Sequence, residues 1–313
     1  MILCFLPLIF SDRRKSATII PANHISQEEI LLRCSITDAS TYACGILQSH
    51  SAGTVHSVYR KTINLLFDGQ LLALQAAHSP LSPLSLILDL TEQQMQALPA
   101  AAGQSVSVSG GQLVLHCDGS PVEISCRRPM LYDPVLRGTL PPSGRDTLLD
   151  AVQTVLKASD RSGFSLIVRR DPSVDGNLIL SAAARYLREA WTQYHAAQYE
   201  LSAASLCRVI GLGIGLTPSG DDFLCGMFAG LRLLGREQDA FSLALHRQTE
   251  SCLDRTNEIS ASFLSCALRG QFSQAVCSLP SVPSAEQLMQ SFSAIGHSSG
   301  MDTLCGILYA LSL

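Results

Sequence analysis

The sequence predicts an α+β protein in which a mostly β N-terminal domain is followed by an all-helical C-terminal domain. Residues 51–130 alternate apolar and polar side chains with the two-residue period of half-buried strands. Beyond residue 140, apolar side chains recur with the helical period instead. The Pro- and Gly-rich segment LPPSG at 140–144 separates the two patterns, as a domain linker would. We therefore assign residues 41–140 to a β-rich domain, 141–313 to a helical domain and 1–40 to an N-terminal extension.

Turn signals divide the β-rich domain into hairpins. Asp68-Gly69, Gly110-Gly111 and Asp118-Gly119 each lie between two apolar runs, where tight hairpin turns favour these residue types. One short helix is predicted near TEQQMQAL, residues 91–98. The order of the strands in the sheet stays open at this stage.

Five segments of the C-terminal domain have the helical period. They are 145–159, the long stretch 178–211 (one helix or two), 239–256, 258–272 and the end of 278–296, which begins as a Pro/Ser loop. The final segment, DTLCGILYALSL, is apolar throughout, so we expect it to pack inside the domain.

Composition excludes two classes of function. The 313 residues carry a formal net charge of −4 and no basic run, which argues against a nucleic-acid groove. No uninterrupted apolar stretch reaches the roughly 18 residues that a membrane-spanning helix requires. Only 15% of the residues are charged and the mean hydropathy is +0.23, so we expect buried helices, a subunit interface, or both.

The cysteines and the first residues both predict a cytoplasmic protein. The opening MILCFLPLIF is apolar, but its charged residues follow it, which is the reverse of a secretory signal. The eleven cysteines are scattered among apolar neighbours without a CxxC pair. We therefore expect free, buried thiols rather than disulfides or a zinc site.

The most informative stretch is GLGIGLTPSGDDF, residues 211–223, in which a glycine-rich turn enters an apolar helix through two adjacent aspartates. Part of it recurs: SGDDFLCG at 219–226 matches SGMDTLCG at 299–306 in six of eight positions. Both copies follow polar, glycine-bearing turns and precede short apolar helices. The repeat predicts two similar helix entrances.

A structural interpretation explains part of this pattern. Ser219 with Asp222, and Ser299 with Asp302, have the spacing of a capping box, which satisfies free N–H groups at a helix start. Gly226, Gly230 and Gly306 would then let helix backbones approach closely. This interpretation leaves the second carboxylate, Asp221, and the glycines at 211, 213 and 215 without a role.

A functional interpretation explains the remainder. Glycine-rich turns at helix N-termini expose N–H donors that bind anions, and carboxylates beside an anion call for a cation such as Mg²⁺. If the two entrances converge, Asp222, Asp302 and His297 would line one pocket, with His297 as general acid or base. An imidazole bonded to the backbone of its own turn is the alternative for His297.

These hypotheses define a candidate site. Its catalytic residues are His297, Asp222 and Asp302; its substrate- or phosphate-binding residues are Gly213, Gly215, Thr217, Ser219, Gly220, Asn257, Ser260, Ser298, Ser299 and Gly300; its metal pair is Asp221 and Asp222. For Asn257 and Ser260, which share a helix face, an N-cap cluster is the alternative. Alternation also places His56 and Asn64 on one face of a strand, toward the domain junction.

The same residues resemble a known family. GLGIGLTPSGDDFLCG, TNEISASFLSCALRGQF and IGHSSGMDTLCGIL, with TVHSVYRKTINL upstream, look like a bacterial family catalogued as a domain of unknown function and labelled as carboxylases. The resemblance covers residues 45–313 and is strongest to members encoded with allantoin-degradation genes. It implies a subunit of the oxamate carbamoyltransferase of anaerobic purine catabolism.

The resemblance implies phosphorolysis of N-carbamoyl-oxamate (oxalurate) to oxamate and carbamoyl phosphate, by a complex with other subunits. The chain lacks the STRT-type and HPxQ segments with which aspartate and ornithine carbamoyltransferases bind carbamoyl phosphate. Neither repeat contains an arginine, and Arg60, Lys61, Arg255 and Arg269 are the nearest cations. Partner subunits would then supply the missing charge, and this chain would complete the site or only scaffold it. Assembly of the chain with further copies of itself, as a homo-oligomer, also stays open.

Two other functions stay open. One is a non-catalytic assembly subunit, in which the apolar surface binds partners. The other is a stand-alone Mg²⁺-dependent carboxylase or phosphotransferase, which would act without partner subunits.

Overall fold

Nine strands form one sheet in the N-terminal half of the chain, of which a computed structural model describes residues 32–159 and 163–313. The strands are β1 (Leu32–Ser40), β2 (Ala52–Val58), β3 (Thr62–Phe67), β4 (Gln70–Gln75), β5 (Ser85–Leu88), β6 (Ser105–Ser109), β7 (Gln112–Leu115), β8 (Val122–Ser125) and β9 (Met130–Tyr132). Two helices, α1 (Thr41–Ser49) and α2 (Glu92–Gln96), interrupt them.

The sheet closes into a barrel because β1 has a partner on each edge. The strand order is β5-β4-β3-β2-β6-β7-β8-β1-β9, and β1 also pairs with β5, which joins the two ends of the first eight strands. Most neighbours are antiparallel, but β1 runs parallel to β8 and β9, and β4 runs parallel to β5. Alternate side chains fill the barrel, among them the fully buried Leu65, Phe67 and Leu72.

Two of the three turn signals read from the sequence are confirmed as tight turns, and the third, Asp118-Gly119, lies in a longer loop between β7 and β8. Asp68 and Gly69 join β3 to β4, and both have positive φ, as the favoured two-residue hairpin turn requires. Gly110 and Gly111 join β6 to β7 in the same way. Helix α2 lies at the predicted place and begins with a capping box at Thr91.

Strand β1 lies within the segment that the sequence analysis set aside as an extension. Its residues 32–40 form part of the barrel wall, and Ile36 and Ala39 are buried there. The opening MILCFLPLIF and the rest of 1–31 lie outside the described residues.

Ten α-helices follow in the described part of the C-terminal half, and with the barrel they confirm the α+β order. They are α3 (Gly144–Ala158), α4 (Ser165–Val168), α5 (Leu178–His195), α6 (Tyr199–Cys207), α7 (Ser219–Leu233), α8 (Ala240–Glu250), α9 (Glu258–Leu268), α10 (Gln274–Cys277), α11 (Ala285–Ser293) and α12 (Ser299–Ser312). The long stretch 178–211 thus contains two helices, α5 and α6.

Helices α7 and α12 form the centre of the helical region and pack against each other along their lengths. A Cβ atom on Gly226 would lie 2.0 Å from the carbonyl oxygen of Thr303, and one on Gly306 would lie 1.9 Å from that of Phe223. Farther toward the C-terminal ends of both helices, a Cβ atom on Gly230 would lie 2.5 Å from the Cβ atom of Ala310. The contacting residues have increasing numbers on both helices in the same direction, so α7 and α12 run parallel and their N-termini lie at the same end.

The barrel and the helical region share a small apolar cluster. Leu71, Ala73 and Leu84 of the barrel pack with Ile259 and Cys266 of α9. These contacts lie within one compact unit that spans Leu31–Leu313. The sequence-based domain boundaries stay a prediction.

Two expectations from composition can be compared with the described residues. All ten cysteines in ranges 32–159 and 163–313 are free, and most are buried. Over the same ranges, no helix combines the length and apolarity that crossing a bilayer would take.

Candidate active site

A cleft of about 990 Å³ lies between the barrel and the helical region. The barrel lines it with residues of β3, β4 and the loop 76–84. The helical region lines it with α9, the glycine loop and the entrance of α12. Residues from both halves of the chain therefore share one cavity, large enough for several small molecules.

The two helix entrances meet at this cleft, as the functional interpretation expected. The hydroxyl oxygens of Thr217, just before α7, and Ser299, the first residue of α12, are 2.8 Å apart. Both residues line the cleft. Two positive helix ends are thus directed to one region of the cavity wall.

The entrances have the same backbone design but different lengths. Gly220 N donates to Leu212 O at 2.9 Å, and Gly300 N donates to Ile295 O at 3.1 Å, which folds each approach loop back on its helix. Eight positions separate the first pair and five separate the second. The longer first loop carries Ile214, which is 87% exposed and lines the cleft.

The capping boxes read from the sequence are wrong. Neither helix has a side-chain cap, because Ser219 and Ser299 are the first helical residues and not the caps. The hydroxyl of Ser299 instead lies near the carboxyl group of Asp222 on the other helix, the hydroxyl of Ser219 lies near that of Asp302, and each hydroxyl lowers the pKa of the carboxyl group beside it. Each repeat therefore places a hydroxyl beside the carboxyl group of the other.

Asp302 is the inner carboxyl group of this pair. It is fully buried and does not line the cleft. Its Oδ1 accepts a hydrogen bond from Phe164 N at 2.6 Å, whereas its Oδ2 has no partner within the described chain. Burial raises the pKa of Asp302 to about 6, although hydrogen bonds from Phe164, Ser219 and Ser298 lower it.

Asp222 is the outer carboxyl group and lines the cleft. Burial raises its pKa well above the usual range, and the negative charges of Asp302 and Asp221 raise it further. Hydrogen bonds from Ser299 and Thr217 act in the opposite direction. Its Oδ2 has no partner among the described residues. A carboxyl group in this setting favours the protonated form and can donate a proton.

Asp221 has a different role, because it points away from the cleft into the protein. Its Oδ1 accepts from Gly211 N at 2.8 Å, and its Oδ2 accepts from Thr256 Oγ1 at 2.5 Å and Ser260 Oγ at 2.7 Å. Burial raises its pKa, and these three hydrogen bonds lower it. The carboxylate therefore fastens the glycine loop to the start of α9.

The predicted metal pair is not supported by this arrangement. Both oxygens of Asp221 are occupied by hydrogen bonds, so only Asp222 offers a free carboxylate oxygen. In the two described ranges, no three His, Cys, Asp or Glu side chains are grouped for a metal ion. A Mg²⁺ site stays a prediction.

The backbone geometry of the loop requires its glycines. Gly211, Gly213 and Gly215 have φ values of 76°, 140° and 117°, which other residues adopt only with strain. At Gly213, a Cβ atom would lie 2.3 Å from the backbone nitrogen of Ser219. The loop can therefore turn back on α7 only with glycine at this position.

Asn257 and Ser260 hold this loop in place from outside the cleft. Asn257 caps α9 by accepting from Ser260 N at 3.0 Å, and its Nδ2 donates to Leu216 O at 2.9 Å. The N-cap alternative is therefore confirmed. Their predicted role in binding substrate or phosphate stays a prediction.

The other predicted residues divide between the cleft wall and the layer behind it. Those that line the cleft are Gly215, Thr217, Asp222, His297, Ser298 and Ser299; those that do not are Gly213, Ser219, Gly220, Asp221, Asn257, Ser260, Gly300 and Asp302. His297 is exposed, and no hydrogen bond of its ring is found within the described chain.

Among the four candidate cations, only Lys61 lines the cleft, and it pairs with Glu92 at 3.2 Å. Arg60 pairs with the same carboxylate, and Arg269 stacks on Tyr42. Arg255 does not line the cleft.

His56 and Asn64 both reach the junction of barrel and helices. A bulge at His56 interrupts the alternation of side chains along β2. The Nε2 atom of His56 lies 2.6 Å from Oε2 of Glu258, the first residue of α9. Asn64 lines the cleft and donates to Ser57 Oγ at 3.0 Å. The strand pattern alone could place them on a face but could not show the bulge.

The sequence analysis missed the barrel side of the cleft. Gln75 and His78 line it, together with much of the loop 76–84. The available signal was the segment AAHSPLSP, a His between a strand and two prolines, which predicts an ordered loop but not its position.

Comparison with known families agrees with this geometry. One family model, described as "Oxamate carbamoyltransferase subunit AllH", matches residues 209–311, which contain both helix entrances. A second, described as "AllH family N-terminal domain", matches residues 34–128, which form most of the barrel. No solved structure matches the chain. The two models together cover more than half of the sequence, and the chain belongs to the AllH family.

Proposed function

We propose that this chain carries the reacting groups of an oxamate carbamoyltransferase complex, which converts oxalurate and phosphate into oxamate and carbamoyl phosphate in anaerobic allantoin catabolism. The convergence of two helix entrances beside Asp222, on one wall of a cleft, is the observation that carries the proposal. The name of the matching family supports the same reaction class.

The reaction requires one bond exchange and one proton transfer. A phosphate oxygen attacks the carbamoyl carbon of oxalurate, the C–N bond to the oxamate nitrogen breaks, and that nitrogen takes up the proton that phosphate loses. Negative charge develops on the carbamoyl oxygen during the attack and must be stabilised. The protein therefore needs hydrogen-bond donors at the oxygens and an acid at the nitrogen.

The helix entrances supply the donors in this proposal. The hydroxyls of Thr217 and Ser299 line the cleft, and together with the positive ends of α7 and α12 they suit phosphate and the developing oxyanion. Asp222, whose raised pKa favours the protonated form, gives a proton to the leaving nitrogen. His297 on the same wall accepts the proton from phosphate.

Asp302 acts through Asp222 and Ser219 and does not touch the substrate. Its buried carboxyl group fixes the hydroxyl of Ser219, while its negative form raises the pKa of Asp222. If Mg²⁺ takes part, Asp222 is the one residue of the predicted metal pair with an oxygen free to bind it.

One observation favours the second candidate, a non-catalytic assembly subunit. Ile214 and Leu216, both exposed, lie at the cleft, and Met130 and Leu131 on the edge strand β9 are also exposed. Apolar side chains at such positions are typical of surfaces that bind another protein. Under this alternative the cleft holds part of a partner and no substrate.

A reconstitution assay separates the two candidates. The complex is assembled with wild-type chain, without the chain, and with Asp222→Asn, and phosphate-dependent loss of oxalurate is measured with and without a chelator. Loss of activity in an intact complex with Asp222→Asn supports the catalytic role. Full activity with this variant supports the assembly role instead, and sensitivity to the chelator decides the metal question.

A further inference from the structure

The barrel wall of the cleft contains a side-chain amide held in one orientation. Ser85 Oγ accepts from Ser82 N at 2.9 Å and donates to Oε1 of Gln75 at 2.5 Å. Ser85 is fully buried, whereas Gln75 and Ser82 are half-buried and line the cleft. The oxygen of Gln75 is therefore occupied, and its Nε2, which bonds to no other described residue, is the end available to a ligand in the cleft.

A histidine follows three residues later on an unfavourable backbone. His78 has a φ of 64°, a conformation that glycine adopts at lower cost. The turn is closed by two hydrogen bonds to Ala76 O, from Ser79 N at 3.2 Å and Ser79 Oγ at 2.7 Å. The imidazole is exposed in the cleft and has no hydrogen bond within the described chain. Strain kept at a cavity wall indicates that the side chain has a use there.

A cation completes this wall. Lys61 lines the cleft, and its backbone oxygen accepts from Ala76 N at 3.0 Å, which joins it to the turn that carries His78. Its ammonium group pairs with Glu92, but Arg60 pairs with the same carboxylate. The three charges sum to a net positive group, so Lys61 can also attract an anion.

We propose that Lys61, Gln75 and His78 form a carboxylate subsite that binds the oxamate end of the substrate. The inference rests on the proposed function and adds the orientation of the substrate to it. Oxalurate carries its carboxylate at the end opposite to its carbamoyl group. If phosphate and the carbamoyl group react at the helix entrances, the carboxylate must point to another wall, and the barrel wall presents three nitrogen donors.

Two variants test the subsite in the assembled complex. Gln75→Glu keeps the shape and the hydrogen bond from Ser85, but it replaces the amide donor with a negative oxygen. His78→Gly removes the imidazole from a backbone that glycine prefers, so it cannot weaken the fold by strain. Gln70→Glu is the control for the first variant, because Gln70 lies on the same strand but does not line the cleft. Ala197→Gly is the control for the second, because Ala197 is an exposed residue with a φ of 55° that also lies outside the cleft lining.

We expect both cleft variants to raise the KM for oxalurate by about 10- to 100-fold, the effect of losing one hydrogen bond to a charged group. The KM for phosphate should change less than about twofold, because phosphate binds at the other wall. Binding of oxamate alone, measured by calorimetry, should weaken in parallel. The two control variants should match the wild type in each measurement.

The outcomes separate the inference from the function. An unchanged KM for oxalurate in both variants would overturn the subsite and leave the proposed reaction standing. An equal rise in the KM for phosphate would overturn the assigned orientation. If the wild-type complex shows no phosphate-dependent loss of oxalurate, the proposed function fails and the inference fails with it. Should Gln75→Glu not fold, His78→Gly decides alone.

Discussion

Gly226 rests directly on the carbonyl group of Thr303, where a Cβ atom would lie 2.0 Å from the oxygen. The repeat makes the reciprocal contact, between Gly306 and Phe223. These two contacts let the axes of α7 and α12 approach so closely that the hydroxyl of Thr217, just before α7, shares a hydrogen bond with the hydroxyl of Ser299, the first residue of α12. The glycines of the repeat are therefore part of the reason that one cleft wall has two helix ends.

Gly226→Ala should separate the two helices. We expect the free energy of unfolding to fall by at least about 2 kcal/mol, because the methyl group meets a backbone carbonyl that cannot move independently of its helix. Urea denaturation measures this change.

Gly45→Ala is the matched control. Gly45 lies within α1, and a Cβ atom there would meet no atom within 4 Å. Alanine should therefore stabilise the fold by roughly 0.5–1 kcal/mol. A loss of stability at Gly45 comparable to that at Gly226 would show that helix propensity, and not the close approach, governs both sites.

Asp222→Asn should separate activity from stability. Asparagine keeps the shape and removes a charge that burial disfavours, so the free energy of unfolding at neutral pH should be unchanged or higher. The rate of oxalurate phosphorolysis should fall on the order of a hundredfold or more, because the amide cannot donate the proton. Denaturation curves and kcat of the reconstituted complex provide the two measurements.

The pH dependence of stability should report on Asp302. Its pKa is about 6 in the folded chain against an ordinary value of 3.8, so between roughly pH 4 and pH 6 the folded state holds a proton that the unfolded state has lost. This contribution to the free energy of unfolding is therefore present at low pH and is lost as the pH rises through 6.

Asp302→Asn cannot lose a proton, and it therefore lacks this pH-dependent term. Relative to the wild type, its free energy of unfolding should rise by on the order of 3 kcal/mol between pH 4 and pH 7. Asp221 is present in both proteins, so its titration largely cancels. The charge of Asp302 raises the pKa of Asp222, so both proteins are also compared in an Asp222→Asn background, which removes that titration. A difference that stays flat across this range would contradict the assignment.

Asp221→Ala should weaken the fold and release the glycine loop. Three donors, from the half-buried Gly211 and Thr256 and the buried Ser260, would lose their acceptor, which should cost on the order of 3 kcal/mol. Hydrogen exchange at Gly211 should accelerate in the same variant. Asp150→Ala, on the exposed face of α3, should change stability by no more than about 0.5 kcal/mol.

Much of the fold could be predicted because its signals are local. The hairpin at Asp68 and Gly69 follows from two residues that tolerate positive φ, and the helices follow from periods within single segments. The closure of the barrel could not be predicted, because β1 and β5 pair across 45 or more positions. Nothing in the sequence of either strand specifies the other as its partner.

The candidate site was predicted in part for the same reason. The recurrence of Ser-Gly-x-Asp indicated two equivalent entrances, and their meeting follows from glycines at matching positions. The capping boxes were predicted wrongly because Ser219 and Ser299 have the spacing of cap residues but are the first helical residues, and each lies near the aspartate of the other helix. Gln75 and His78 were missed because their function depends on what the folded chain places opposite them.

The cleft draws its lining from segments near 60–84, 214–225, 259–276 and 293–303. Its first and last contributors are more than 200 positions apart in the chain, so a fragment that lacks either of these segments lacks part of the lining. During synthesis the pocket arises only after α12 has left the ribosome and packed beside α7. A cleft with its full lining thus requires a chain that has folded through its last helix.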